Sequence, residues 1–143
     1  MFKIKDPAYK TRVAALFSAA NFIQEVGYHF LDCGPGWCET ELTLLPKHMQ
    51  QDRFVHAGVQ STMADHTAGA AAGTLLAADE IVLTVEFKIN LLRTAVGEKL
   101  FCRAEVLRPG RHVIVAESAV YAVTDEQQRL VSKAMVTLMG VTP

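Results

Sequence analysis

"HAGVQSTMADHTAGAAAG", His56 to Gly73, is mostly Ala, Gly, Ser and Thr, with two histidines and one aspartate set into it. The spacing predicts a helix from Gly58 to about Leu76. Three glycines weaken a helix by about 1 kcal/mol each, so tight packing is expected to compensate. On a 3.6-residue period, Gly58, Ser61, Thr62, Asp65, Gly69, Ala72 and Gly73 fall near one face. That face has almost no side-chain bulk and is expected to let another backbone approach closely. Asp65 lies on it. Burying an unpaired carboxylate costs several kcal/mol, so Asp65 is expected to be functional, with pairing or exposure as alternatives.

Before this helix, "TRVAALFSAANFIQEVG" has the apolar spacing of one amphipathic helix ending near Gly27. "YHFLDCG" and "WCETELTLL" read as a hairpin joined at Gly34-Pro35-Gly36, and "PKHMQQDRF" as a polar loop. After the helix come four strands: "EIVLTVEFKIN", "EKLFCRAEVLR", "HVIVAESAVYAV" and "RLVSKAMVTLMG". Consecutive strands without intervening helices favour an antiparallel sheet. The only long helix available to cover that sheet is the one at its sequence centre. The expected class is therefore α+β: a hotdog fold, an antiparallel sheet of about six strands wrapped around a long central helix, with an N-terminal helix. One domain is expected over residues 1–143.

The 143 residues carry a formal net charge of −1, which gives no general attraction to nucleic acid or an anionic membrane. Neither partner is expected. The first ten residues, "MFKIKDPAYK", hold no signal-like apolar run, and "GAAAGTLLAA" is far shorter than the ~20 residues of a membrane-spanning helix. Cys33, Cys38 and Cys102 make an odd number, which suits a reducing compartment. A cytoplasmic location follows as an expectation. No zinc-like spacing joins the cysteines to histidines, and no metal is expected.

His56 lies just before the central helix, and Ala57 and Gly58 form its first turn. Backbone N–H groups there have no intrahelical acceptor, and with the helix dipole they favour developing negative charge. An acyl-transfer oxyanion needs such donors. Asp65, as a carboxylate, is a candidate general base. Yet Asp65 is seven residues beyond Gly58, about 10 Å along the axis. One carbonyl does not easily touch both groups in a single chain. A dimer in which one helix start meets the other helix's Asp65 is the simplest solution.

At this point "HAGVQSTMAD" resembles the H-G-G-x(6)-D motif of the PaaI-like hotdog acyl-CoA thioesterases. "TVEFKINLLRTAVGE" (Thr84–Glu98) resembles that family's stretch T-V-E-L-K-I-N-F-L-R-P-A-x-x-G. The resemblance implies hydrolysis of acyl-CoA to free acid and CoA, without a cofactor, in a homodimer that assembles further into a homotetramer. By motif position, Asp65 matches the general base or nucleophile, and Ala57 the glycine whose N–H binds the thioester carbonyl. His56 supports that turn, together with Gly58. Thr84 matches a Ser/Thr that helps place the attacking water, and Arg93 a basic position where CoA phosphates lie. The family's Asn before the His is missing; here the region reads "QQDR", with Gln50 or Gln51 as substitutes.

His66 is expected to be a core or interface histidine with a hydrogen-bond partner, not a second base. The "LRPGR" turn, with Arg108 and Arg111, reads as a solvated hairpin; its arginines also suit a CoA phosphate. Two other functions fit the same architecture: a non-catalytic acyl-CoA-binding protein, and a hydroxyacyl dehydratase using His56 with Asp65.

Overall fold

The computed structural model describes residues 2–143. The elements are α1 (Tyr9–Ala19), α2 (Asn21–Val26), β1 (His29–Gly34), β2 (Trp37–Thr43), a 3-10 turn (Pro46–His48), α3 (Ala57–Gly73), β3 (Ile81–Leu91), β4 (Lys99–Pro109), β5 (Ile114–Thr124) and β6 (Gln127–Val141). The six strands form one sheet in the order β1-β2-β4-β5-β6-β3, and every neighbouring pair is antiparallel. Helix α3 lies against β2 to β6. The hotdog fold expected from element order is present.

Small residues line both sides of the contact between helix and sheet. Ala64, Ala68, Ala71, Cys102, Ala104 and Ala116 are all fully buried. The close approach lets sheet hydroxyls reach the helix. Ser118 Oγ donates to the Ala64 carbonyl at 2.7 Å, and Thr40 Oγ1 and Thr67 Oγ1 are 2.8 Å apart. Burial removes water from these groups, so each polar atom must find a protein partner. The three cysteines are free and buried.

Three sequence expectations need correction. First, the sheet-facing side of α3 carries Gln60, Met63, Ala64, Thr67, Ala68 and Ala71, which are buried. The side with Ser61, Thr62, Asp65 and Gly69 is only half-buried. The bare face thus turns away from the sheet centre, and Gly69 looks toward Val82 and Leu138 at van der Waals distance. Second, α3 stops at Gly73 rather than near Leu76. The Arg12 guanidinium accounts for the stop: Nη2 donates to the carbonyls of Gly73 (3.2 Å) and Leu76 (3.1 Å). A cation at a helix C-terminus satisfies orphan carbonyls and the dipole together. Third, the N-terminal helix is broken at Ala20, whose backbone is extended (φ −80°, ψ 99°). The Gln24 amide donates to the Phe17 carbonyl that the break leaves open.

No helix among the described residues is long and apolar enough to cross a membrane.

Candidate active site

The start of α3 is built by His56. Its Nδ1 accepts the Gly58 N–H at 2.8 Å, which makes His56 a side-chain N-cap. The His56 carbonyl accepts from Val59 (3.0 Å) and Gln60 (3.4 Å). Of the first four donors of the helix, three are thereby used. The Ala57 N–H has no acceptor among the described residues. A Cβ at position 58 would lie 2.9 Å from His56 Nδ1, so a side chain there displaces the capping imidazole. Ala57 itself is exposed, so its methyl displaces nothing within the protomer. This is the physical reason that HAG keeps its second glycine and not its first.

Around this turn, Gln50, Gln51, His56, Ala57, Gln60 and Arg93 border a cavity of about 370 Å³. The two glutamines are engaged locally: the Gln50 side-chain oxygen accepts the Asp52 N–H, and Gln51 Nε2 donates to Asp52 Oδ2 at 3.1 Å. Arg93 is tethered through Nη1 to the Leu130 carbonyl at 3.1 Å.

Asp65 sits elsewhere, in a groove of about 450 Å³ between α1, α3 and β3. Thr84 Oγ1 donates to Asp65 Oδ1 at 2.8 Å. That bond orients the carboxylate and leaves Oδ2 without a partner among the described residues. Thr84 reaches it because β3 is bulged: the pairing with β6 shifts between Thr84 and Glu86, with Val85 as the extra residue. A bulge re-aims the side chains beside it. Val82 and Thr84 line the groove before it, whereas Ile89 packs on the core after it. Leu16, Ala19, Ala20, Gly69 and Gly73 give the groove an apolar lining.

Within one protomer, then, the expected residues form two groups. His56, Ala57, Gln50, Gln51 and Arg93 share one cavity; Asp65 and Thr84 share another. Eight residues of helix, about 12 Å, separate Ala57 from Asp65.

A family model described as "Thioesterase superfamily" matches residues 53–130, more than half of the chain. The match takes in His56, Ala57 and Arg93 of the first group and Asp65 and Thr84 of the second. This chain belongs to the thioesterase superfamily. Among solved structures of the superfamily, it is similar to a thioesterase family protein from Silicibacter pomeroyi, at 36% identity and a TM-score of 0.91 over 94% of this chain and 99% of that one. It shares the fold of the thioesterase HI1161 from Haemophilus influenzae, at 22% identity and a TM-score of 0.83 over 97% and 94% of the two chains. A curated relative, the 1,4-dihydroxy-2-naphthoyl-CoA hydrolase of Listeria monocytogenes, is 25% identical over 80% of this chain and 91% of its own.

Two buried polar residues beside the Ala57 cavity escaped the sequence reading. His48 was expected to lie in a polar loop; it is buried, at 2% exposure. Its Nδ1 accepts from Leu45 N at 2.9 Å, so the proton is on Nε2, which donates to the Val26 carbonyl at 2.7 Å. The His48 carbonyl accepts the His56 N–H at 2.9 Å. His48 therefore braces the segment that sets the helix start. Gln60 is buried beneath the same cavity, and its Oε1 has no partner among the described residues. No local pattern marks either role.

His66 departs from its expectation. It packs edge-on against Phe17, with ring centroids 4.7 Å apart, but its buried Nε2 has no hydrogen-bond partner among the described residues. Burial pushes its pKa below the usual histidine value, and the Asp65 charge opposes this only in part. The neutral form tolerates an apolar wall, which is why the ring stays there without a partner.

Proposed function

We propose that this protein hydrolyses acyl-CoA thioesters in a site shared between two subunits. The observation that carries the reading is the division of the machinery: a free N–H at Ala57 and a Thr84-held carboxylate at Asp65, in separate cavities. The thioester carbonyl accepts the Ala57 N–H, where the α3 dipole adds to the stabilisation of the oxyanion. Asp65 of the partner subunit takes a proton from water, or attacks the carbonyl itself. Thr84 donates its hydroxyl hydrogen bond to Asp65, so its oxygen accepts a hydrogen bond from the attacking water. With Asp65 as base, collapse of the tetrahedral intermediate expels CoA, whose sulfur takes back the proton from Asp65, and leaves the acid; with Asp65 as nucleophile, collapse leaves a mixed anhydride on Asp65, which a water then hydrolyses to the acid and the free carboxylate. The apolar groove beside Asp65 receives the acyl group, and Arg93 takes CoA phosphate. The step needs no cofactor.

The edge of the sheet supports the dimer. β3 pairs only with β6, and its other side is open. Joining β3 to a second β3 continues the sheet and brings each Asp65 toward the other helix start. Two such dimers then form a tetramer.

The dehydratase reading loses its base. His56 Nδ1 is occupied by the Gly58 N–H, so the ring acts as a cap. The test is free-thiol release from a panel of acyl-CoAs. Wild type is expected to turn over at least one, and Asp65→Ala to lose on the order of 10²–10⁴-fold in kcat. Binding without any turnover would leave an acyl-CoA-binding protein.

A further inference from the structure

A third cavity, of about 340 Å³, lies beyond the C-terminal end of α3, where the N-terminal segment meets the turn between β4 and β5. Lys3, Lys5, Arg111 and His112 border it, over an apolar floor that includes Phe2 and Ile114. In a chain of net charge −1, this concentrates three cations against one carboxylate, Glu80. Glu80 is already held by Lys5 at 3.3 Å. Lys3 and Arg111 have no carboxylate partner among the described residues.

The cleft is held in place. Phe2 lies over Gly36, which has φ +79° and where a Cβ would be 2.5 Å from the Phe2 ring. The adjoining Lys3 borders the same cavity as Arg111. On its inner side the cleft meets the Asp65 groove: Leu76 and Glu80 line both cavities. About 12 Å of helix axis separates Asp65 from Gly73, the last residue of α3, and the cleft begins past that point.

We propose that this cleft is an anion-binding subsite for the far end of the substrate, with Lys3 and Arg111 taking a phosphate or carboxylate oxygen more than about 12 Å from the thioester. The proposal rests on the thioesterase reading above. The anion has two sources in an acyl-CoA: the phosphates of CoA, or a terminal carboxylate on the acyl chain. Both present the same chemistry to a guanidinium and an ammonium.

The experiment compares wild type with the double variant Lys3→Ala/Arg111→Ala on three substrates. These are a monocarboxylic acyl-CoA, a dicarboxylic acyl-CoA of equal length, and the monocarboxylic thioester of pantetheine, which lacks phosphate. Both side chains are exposed, so the variant keeps its fold. A rise in KM of about 5- to 20-fold is expected for the substrate that carries the bound anion, shrinking as salt is added. A rise for both CoA substrates that vanishes with pantetheine assigns the CoA phosphates. A rise confined to the dicarboxylic substrate assigns the acyl carboxylate. An unchanged KM for all three overturns the subsite. Calorimetric titration of CoA and of the free dicarboxylic acid into both proteins separates this outcome from failure of the hydrolase reading. If no thioester turns over but either ligand binds wild type at least 5-fold tighter than the variant, the anion site stands without the enzyme; equal binding of both ligands overturns it.

Discussion

The two edges of the sheet are treated in opposite ways. β1 is six residues long and is packed by α1. Phe30 lies on Phe17 with centroids 5.6 Å apart, Lys10 pairs with Asp32 at 2.6 Å, and a bulge interrupts the strand between Phe30 and Asp32. Shortness, charge, a bulge and a covering helix all discourage strand addition. β3 is eleven residues long, and Ile81, Leu83, Val85 and Phe87 are between 42% and 57% exposed. Its bulge serves the site rather than the edge, since it turns Thr84 toward Asp65. One edge closed so fully and the other left apolar fits the dimer proposed above, with β3 as its seam. The half-sites along α3 show the same division.

The strongest way to break this comparison is to disable each half-site separately and mix the results. Ala57→Pro removes only the free N–H, at the first helical position, where proline is well tolerated. Thiol release is expected to fall about 10²–10³-fold with circular dichroism unchanged. Ala57→Pro and Asp65→Ala, each inactive alone, are then unfolded together and refolded. A shared site restores roughly a quarter of wild-type activity, because half the dimers are mixed and each holds one intact site. Absence of recovery places both groups in one chain.

The edges themselves are compared by putting a lysine on each. Val85→Lys is expected to weaken the dimer by on the order of 10–100-fold, seen by sedimentation as a shift toward monomer with matching loss of activity. Leu31→Lys, at an exposed position on β1, is expected to leave the assembly unchanged. If Leu31→Lys dissociates it instead, the roles assigned to the edges are reversed. Thr84→Val tests the bond that the β3 bulge permits. A loss of about 5- to 10-fold in kcat is expected, and Thr84→Ser should recover most of it.

The smallest effect concerns His66. Its folded pKa is depressed by burial, so the unfolded chain binds the proton more readily. Stability from this group is complete above the unfolded value, near 6.5, and is lost as pH falls below it. His66→Phe should flatten the melting temperature between about pH 6.5 and 5, where ordinary carboxylates remain ionised. An equal slope in both proteins would show that the imidazole finds a partner when charged.

The element order and the hotdog fold were legible because strand and helix periods differ and the loops carry Gly, Pro or Asp. Motif position singles out Thr84 and Asp65 separately, and the hydrogen bond between them emerges only in the fold. The sidedness of α3 was not legible. Alanine and glycine occur all round it, so a small residue marks no direction, and the bare face was assigned to close packing when it lines a groove. The break at Ala20 lacks any Gly or Pro. The bulge at Val85 sits in a β-branched run, "IVLTVEF", where no residue differs from an ordinary strand. His48 acts through the Val26 carbonyl, a contact that exists only in three dimensions.

The buried cysteines settle a practical matter. Cys33, Cys38 and Cys102 are at most 2% exposed. Burial raises all three thiols, Cys102 to about 12. Only the thiolate reacts quickly with disulfide reagents. In a colorimetric assay at about pH 8, where an ordinary thiol is partly ionised, the folded protein's own sulfurs stay silent. Colour then reports only thiol freed from the thioester supplied. The enzyme can be used at high concentration against poor substrates, and the spectrum of acyl groups mapped far below the rates at which a protein with reactive thiols loses its baseline.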